Sequence, residues 1–145
     1  MELKFDRDKI RSLSSEISIA LERLQGLSEM SKQDFLNDPY KIASAKYFLI
    51  VTIEGAIDLC NHVISKNRFR APEDYADTFR VIGEKSTFPK DFVDKLIEMA
   101  RFRNRLVHIY WNVDDELLYN ILQEDIKDIE EFLDRFTDFL NQQYT

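Results

Sequence analysis

Apolar residues recur at helical spacing along most of this chain. Ile10, Leu13, Ile17, Ala20, Leu24 and Leu27 step by 3, 4, 3, 4 and 3, which aligns them on one side of a helix predicted from about Asp6 to Met30. The stretch SKQDFLND breaks the pattern and reads as a connection. Asp38 followed by Pro39 then has the form of an N-cap with proline in the first helical position, so a second helix is predicted from there to about Lys66. Its middle, KYFLIVTIEGAIDLC, is apolar nearly all round, as befits a helix enclosed on several sides. Gly55 sits inside it at a cost of about 1 kcal/mol relative to alanine. A glycine kept at that cost implies close approach of another helix, from this chain or from a second copy.

NRFRAP reads as a loop, Pro72 restarts a short helix carrying Tyr75, Phe79 and Ile82, and GEKST closes it with a glycine stop,. Pro89 opens a fourth helix. Its stripe is Phe92, Leu96, Met99, Arg103, Leu106 and Tyr110, stepping by 4, 3, 4, 3 and 4, so an arginine occupies an apolar slot. NVDDELL ends that run, with Asp114 as N-cap of a last helix whose inner face is Leu118, Leu122, Ile129, Phe132, Phe136 and Phe139, reaching about Gln142,. The prediction is an all-α fold: one domain over residues 1–145, an antiparallel four-helix bundle with a short extra helix.

Composition supports this reading and narrows the function. At 145 residues with only 3 Gly and 3 Pro, the chain suits one helical domain. A lone Cys60 excludes an internal disulfide, and the start MELKFDRDKI lacks the apolar stretch of a signal peptide,; a cytoplasmic protein is expected. The longest apolar run, YFLIV, is far short of the roughly 20 residues of a membrane span, so no membrane association is expected. The net charge of −7 argues against bulk nucleic-acid binding,, and no DNA partner is expected. The charge is uneven, however: residues 66–105 carry ten Lys/Arg against seven Asp/Glu, whereas residues 106–145 carry two against ten. The basic segment leads into RNRLVHIYW, so a local electropositive site fits within an acidic chain.

No glycine-rich phosphate loop, cysteine pair or nucleophile elbow is present, and two constellations remain. Glu54, Asp58 and His62, spaced four apart, share a face of the central helix,. Bundle metal sites want Glu-x-x-His on each of two helices, and no second motif exists, so these side chains are read as partners for cations and neither metal nor cofactor is expected.

The other constellation is Arg103-Asn104-x-x-x-His108-x-Tyr110. Histidine exchanges protons near neutral pH and arginine offers a planar fork to phosphate oxygens, so the pair suits attack by a ribose 2′-hydroxyl on RNA. His108 would serve as general acid or base and Arg103 would stabilise the transition-state charge. Asn104, one turn before His108, would orient its imidazole. The competing structural reading pairs Arg103 with a carboxylate such as Glu54 or Asp58. On a straight helix Arg103 and His108 diverge by about 140° and about 7.5 Å of rise, so a shared site needs either unwinding near His108 or a second copy of the chain across a two-fold axis; the second copy, with some unwinding as well, is the expectation.

This motif on the penultimate helix, with WNVDDELLY after it and APEDYADTFRVIGE before it, resembles the toxin branch of the HEPN superfamily, the HepT-like proteins. The resemblance implies a metal-independent ribonuclease working as a homodimer, with Arg103 and His108 of both protomers lining one cleft. It also implies a MntA-type nucleotidyltransferase antitoxin as partner, which transfers AMP onto the motif tyrosine, here Tyr110. The alternative is a non-catalytic HEPN module that binds a nucleotide or presents the nucleotidyltransferase.

Overall fold

The structure, a computed structural model, describes residues 2–108 and 113–142. Seven helices are found among them: α1 (Arg7–Ser28), α2 (Lys32–Leu36), α3 (Pro39–Lys66), α4 (Tyr75–Lys85), α5 (Lys90–Val107), α6 (Asp115–Glu124) and α7 (Ile126–Leu140).

Helix starts follow local side-chain chemistry. Carboxylates of Asp6, Asp38, Asp74 and Asp114 accept backbone N–H groups of α1, α3, α4 and α6, satisfying donors that the first helical turn leaves without partners. The predicted caps at Asp38 and Asp114 are both present. Four features differ from the sequence reading. The connection after α1 contains the five-residue α2, capped by Ser31 and pinned by the fully buried Phe35. The short helix starts at Tyr75, not Pro72, because Asp74 supplies the cap. Gly83 lies within α4 and does not stop it; a Cβ there would come within 2.9 Å of Val93 Cγ2 on α5, so this glycine sets the approach of the two helices. The last helix is broken at Asp125. Leu118, Leu122 and Ile126 are four apart, so each step carries the apolar face about 40° round the axis; the break at Asp125 returns the stripe to the core.

α3 is central, in contact with α1, α2, α4, α5, α6 and α7. Its length and composition would suffice to cross a membrane, but twelve of its residues, from Ala45 to Ile64, are buried inside the bundle. Around it lies a continuous core, including an aromatic cluster in which Phe132 meets Phe79, Phe88 and Phe136 at 5.3–6.4 Å between ring centroids,.

The close approach predicted at Gly55 is to α1. A Cβ at Gly55 would stand 2.5 Å from Ile17 Cγ1, and Ile17 is fully buried with no room to swing aside. Gly55→Val should therefore destabilise the fold by about 3 kcal/mol, at the upper end of ordinary overpacking, lowering the melting temperature by roughly 6–12 °C. Combined with Ile17→Ala it should cost at least about 1 kcal/mol less than the two changes summed. Additive losses in calorimetry would count against this crossing.

Candidate active site at the end of α5

Arg103 is about three-quarters of the way along α5 and points at the central helix. Its side chain is 17 % exposed. Nε and Nη2 both donate to Oε1 of Glu54, at 2.9 and 2.5 Å, and Nη1 donates to Oδ1 of Asn104 at 3.2 Å. The guanidinium carbon lies 4.8 Å from the centre of the Tyr75 ring, at the start of α4. An arginine can thus occupy an apolar stripe because a carboxylate and an aromatic face meet it there. Of the two carboxylates the sequence offered, the partner is Glu54.

α5 ends between the two principal site residues. Val107 is its last helical residue, and His108 adopts an extended conformation (φ −91°, ψ 117°) with its N–H donating to the Asn104 carbonyl at 3.3 Å. The expected loss of helical geometry near His108 is present. His108 is exposed, whereas Arg103 is mostly covered. Asn104 contributes its side-chain oxygen to Arg103 and its backbone carbonyl to His108. Tyr110 lies outside the described residues.

The basic character of this end of α5 comes from its flanks. Arg101 pairs with Glu98 at 2.7 Å, and Arg105 stands 5.8 Å from the Phe102 ring centre. Both edge a groove of about 420 Å³ walled by Leu49, Ile53, Met99 and Phe102.

The acidic stripe on α3 divides between two environments. Glu54 is engaged by Arg103. Asp58 lies beside Lys9, His62 and Lys66, and burial together with the negative charge of Glu54 raises its pKa,. Nε2 of His62 accepts the Asp6 N–H at 2.9 Å, which requires a neutral ring protonated at Nδ1. Among the described residues no group of three or more His, Cys, Asp or Glu side chains is arranged to hold a metal ion.

His62 ties the segment before α1 to the end of α3, alongside reciprocal hydrogen bonds between Lys4 and Asn67. Burial, then the charges of Lys9 and Lys66, push its pKa below the ordinary histidine value, against a smaller opposing effect from Asp6,. Below about pH 6.5 the unfolded chain therefore binds a proton that the folded chain resists, so this contribution to stability is present at neutral pH and is lost as pH falls. The melting temperature of wild type should drop between pH 7 and 5 more than that of His62→Gln. Asp58, with its raised pKa, acts in the opposite sense and is common to both proteins, so parallel curves would contradict the latch.

With a helical bundle, an arginine held near the end of α5 and a histidine just beyond it, the chain can be set beside known proteins. The profile of the family described as ribonuclease HepT-like matches residues 17–136. The chain belongs to that family. HepT-like relatives include the mRNA nuclease HepT of Shewanella oneidensis, 24 % identical over 114 residues, spanning 79 % of this chain and 83 % of the relative. A solved structure of the tri-AMPylated Shewanella oneidensis HEPN toxin in complex with MNT antitoxin superimposes with a TM-score of 0.83, at 24 % identity, covering 90 % of this chain and 98 % of the other. The cytosolic protein YutE of Bacillus subtilis gives 0.80 at 19 % identity, covering 96 % and 93 %. These superpositions establish the HEPN-type all-α fold, and with the family match they bear out the resemblance read from the motif. The HepT-like family is a ribonuclease family, so the chain is placed among RNA-cleaving enzymes.

The sequence reading missed one contributor to this site. Tyr75 was legible only as an apolar position of α4, since nothing in its local pattern signals a partner 28 residues further on.

Proposed function

We propose that the protein is the ribonuclease toxin of a toxin–antitoxin pair, acting in the cytoplasm as a homodimer. It cleaves RNA without a metal, through attack of a ribose 2′-hydroxyl on the adjacent phosphate. His108, exposed at the end of α5, exchanges the proton, and Arg103 binds the phosphate oxygens as charge develops. The observation that carries this reading is the placement of the Arg103–His108 motif at the end of α5 in a chain whose ribonuclease-family match covers residues 17–136. The relative from Shewanella oneidensis is named for action on mRNA, which makes mRNA the first substrate to try.

The separation of Arg103 and His108 supports a composite site. They lie five positions apart across a helix end, one mostly covered and the other exposed, so a second protomer completes the cleft. A nucleotidyltransferase of the MNT kind, the partner seen with the Shewanella oneidensis toxin, neutralises the enzyme by transferring AMP onto Tyr110. Asn104 helps to orient both site residues.

The engagement of Arg103 by Glu54 favours one rival: a bundle that binds a nucleotide or its partner without cutting RNA. Incubation of purified protein with total RNA in excess chelator separates the two. Cleavage leaving 2′,3′-cyclic phosphate ends supports the enzyme, and intact RNA with tight nucleotide binding supports the rival.

A further inference from the structure

We propose that Glu54 and Tyr75 are positioning residues that fix the Arg103 guanidinium so that one chosen edge of it meets the substrate phosphate. The inference rests on the function proposed above and assigns roles to two residues outside the Arg-x4-His motif.

The guanidinium has five N–H donors. Glu54 takes the Nε–H and one N–H of Nη2, both on a single oxygen, which occupies the side-on edge. Asn104 takes one N–H of Nη1. Among the described residues, this leaves one donor on each of Nη1 and Nη2. Those two nitrogens form the end-on edge of the fork, which is suited to two oxygens of one phosphate. The Tyr75 ring lies against the guanidinium at 4.8 Å, restricting rotation about the long axis of the side chain. Three elements, α3, α4 and α5, thus fix one cation, and the entropy of ordering a flexible arginine is lost on folding instead of on substrate binding.

A carboxylate beside a phosphate-binding arginine could instead act as a competitor that must let go. The geometry points to a clamp. Glu54 uses the side-on edge, which leaves the end-on edge to the phosphate although the two share Nη2, and its side chain is 40 % exposed, so solvent moderates its repulsion of an incoming phosphate. A clamp and a competitor predict opposite signs on removal of Glu54.

Four variants and one spectroscopic measurement test the proposal in the whole chain. Glu54→Ala should lower kcat for RNA cleavage at least tenfold while changing KM less than threefold, and Glu54→Gln, which keeps an acceptor oxygen, should recover part of that loss. Tyr75→Phe, which keeps the ring, should stay within twofold of wild type, and Tyr75→Leu should lose activity severalfold. Unchanged kcat in Glu54→Ala, or a rise in kcat/KM, would overturn the clamp while leaving the ribonuclease reading intact. The second measurement needs no cleavage: 15N NMR of the Arg103 side chain during titration with a 2′-O-methyl oligoribonucleotide. The Nη signals should move while the Nε–H signal, held by Glu54, stays. Movement of Nε together with Nη, or no movement of either, would overturn the clamp whether or not the wild-type protein cuts RNA; a wild type that cuts nothing would by itself refute the ribonuclease reading.

Discussion

Replacing His108 with alanine is expected to slow RNA cleavage by roughly 10²- to 10⁴-fold at neutral pH, the usual contribution of a positioned acid or base, with almost no change in stability. The two halves of this expectation have separate causes. His108 is exposed and adopts an ordinary extended backbone at the end of α5, and contacts of exposed side chains contribute little, so its loss should cost about 1 kcal/mol or less. Arg103 should behave differently. Arg103→Ala would leave Glu54 without its partner and the Tyr75 face uncovered, so it should lose activity by roughly 10²- to 10³-fold and also lower the melting temperature. Arg103→Lys is the informative control. It keeps the charge but replaces the planar fork with a point charge, and an engaged Nε has no counterpart in lysine, so activity should stay low. Rates for Arg103→Lys near wild type would show that charge alone suffices.

The second large effect concerns Tyr110. When the protein is co-expressed with the proposed nucleotidyltransferase partner, mass spectrometry should show added AMP on Tyr110, and the modified protein should cleave RNA no faster than His108→Ala. Tyr110 follows His108 by two positions, so chain geometry alone keeps their Cα atoms within about 7 Å, inside the roughly 8 Å over which physiological salt screens a charge. Each AMP brings a phosphate carrying negative charge into the range where the RNA phosphate must bind, so inhibition follows from both charge competition and bulk. Tyr110→Phe removes the acceptor oxygen and should cleave RNA in the presence of the partner as fast as in its absence. An unmodified mass in cells where the partner neutralises the toxin would refute this route.

The parts of the structure legible in the sequence are those fixed by neighbours within a turn or two. The stripe from Ile10 to Leu27, the cap at Asp38 ahead of Pro39 and the cap at Asp114 each depend on local periodicity or one short side-chain hydrogen bond. The parts that were not legible depend on packing. α2 is too short to show a period, and its main anchor in the core is the burial of Phe35. The break at Asp125 follows from how the stripe must turn to reach the core. Gly83 looks like a stop signal until Val93 of α5 is seen against it.

The candidate site shows the same division. Arg103, Asn104, His108 and Tyr110 announce themselves by spacing and by the family they resemble. The choice between Glu54 and Asp58 as partner of Arg103 could not be made from sequence, because the two lie one turn apart on the same face and only the axial offset of α3 against α5 selects Glu54. Tyr75 reaches Arg103 through the packing of α4 on α5, for which the sequence carries no local mark.

The central proposal is a site built from two chains, in which the arginine of one protomer serves the histidine of the other. The most direct measurement mixes Arg103→Ala with His108→Ala protein, verifies by native mass spectrometry that mixed dimers have formed, and follows cleavage of a labelled RNA. A composite site predicts that the mixture regains a substantial fraction of wild-type activity although each variant alone is inactive. Mixed dimers as inactive as their parents would contradict it.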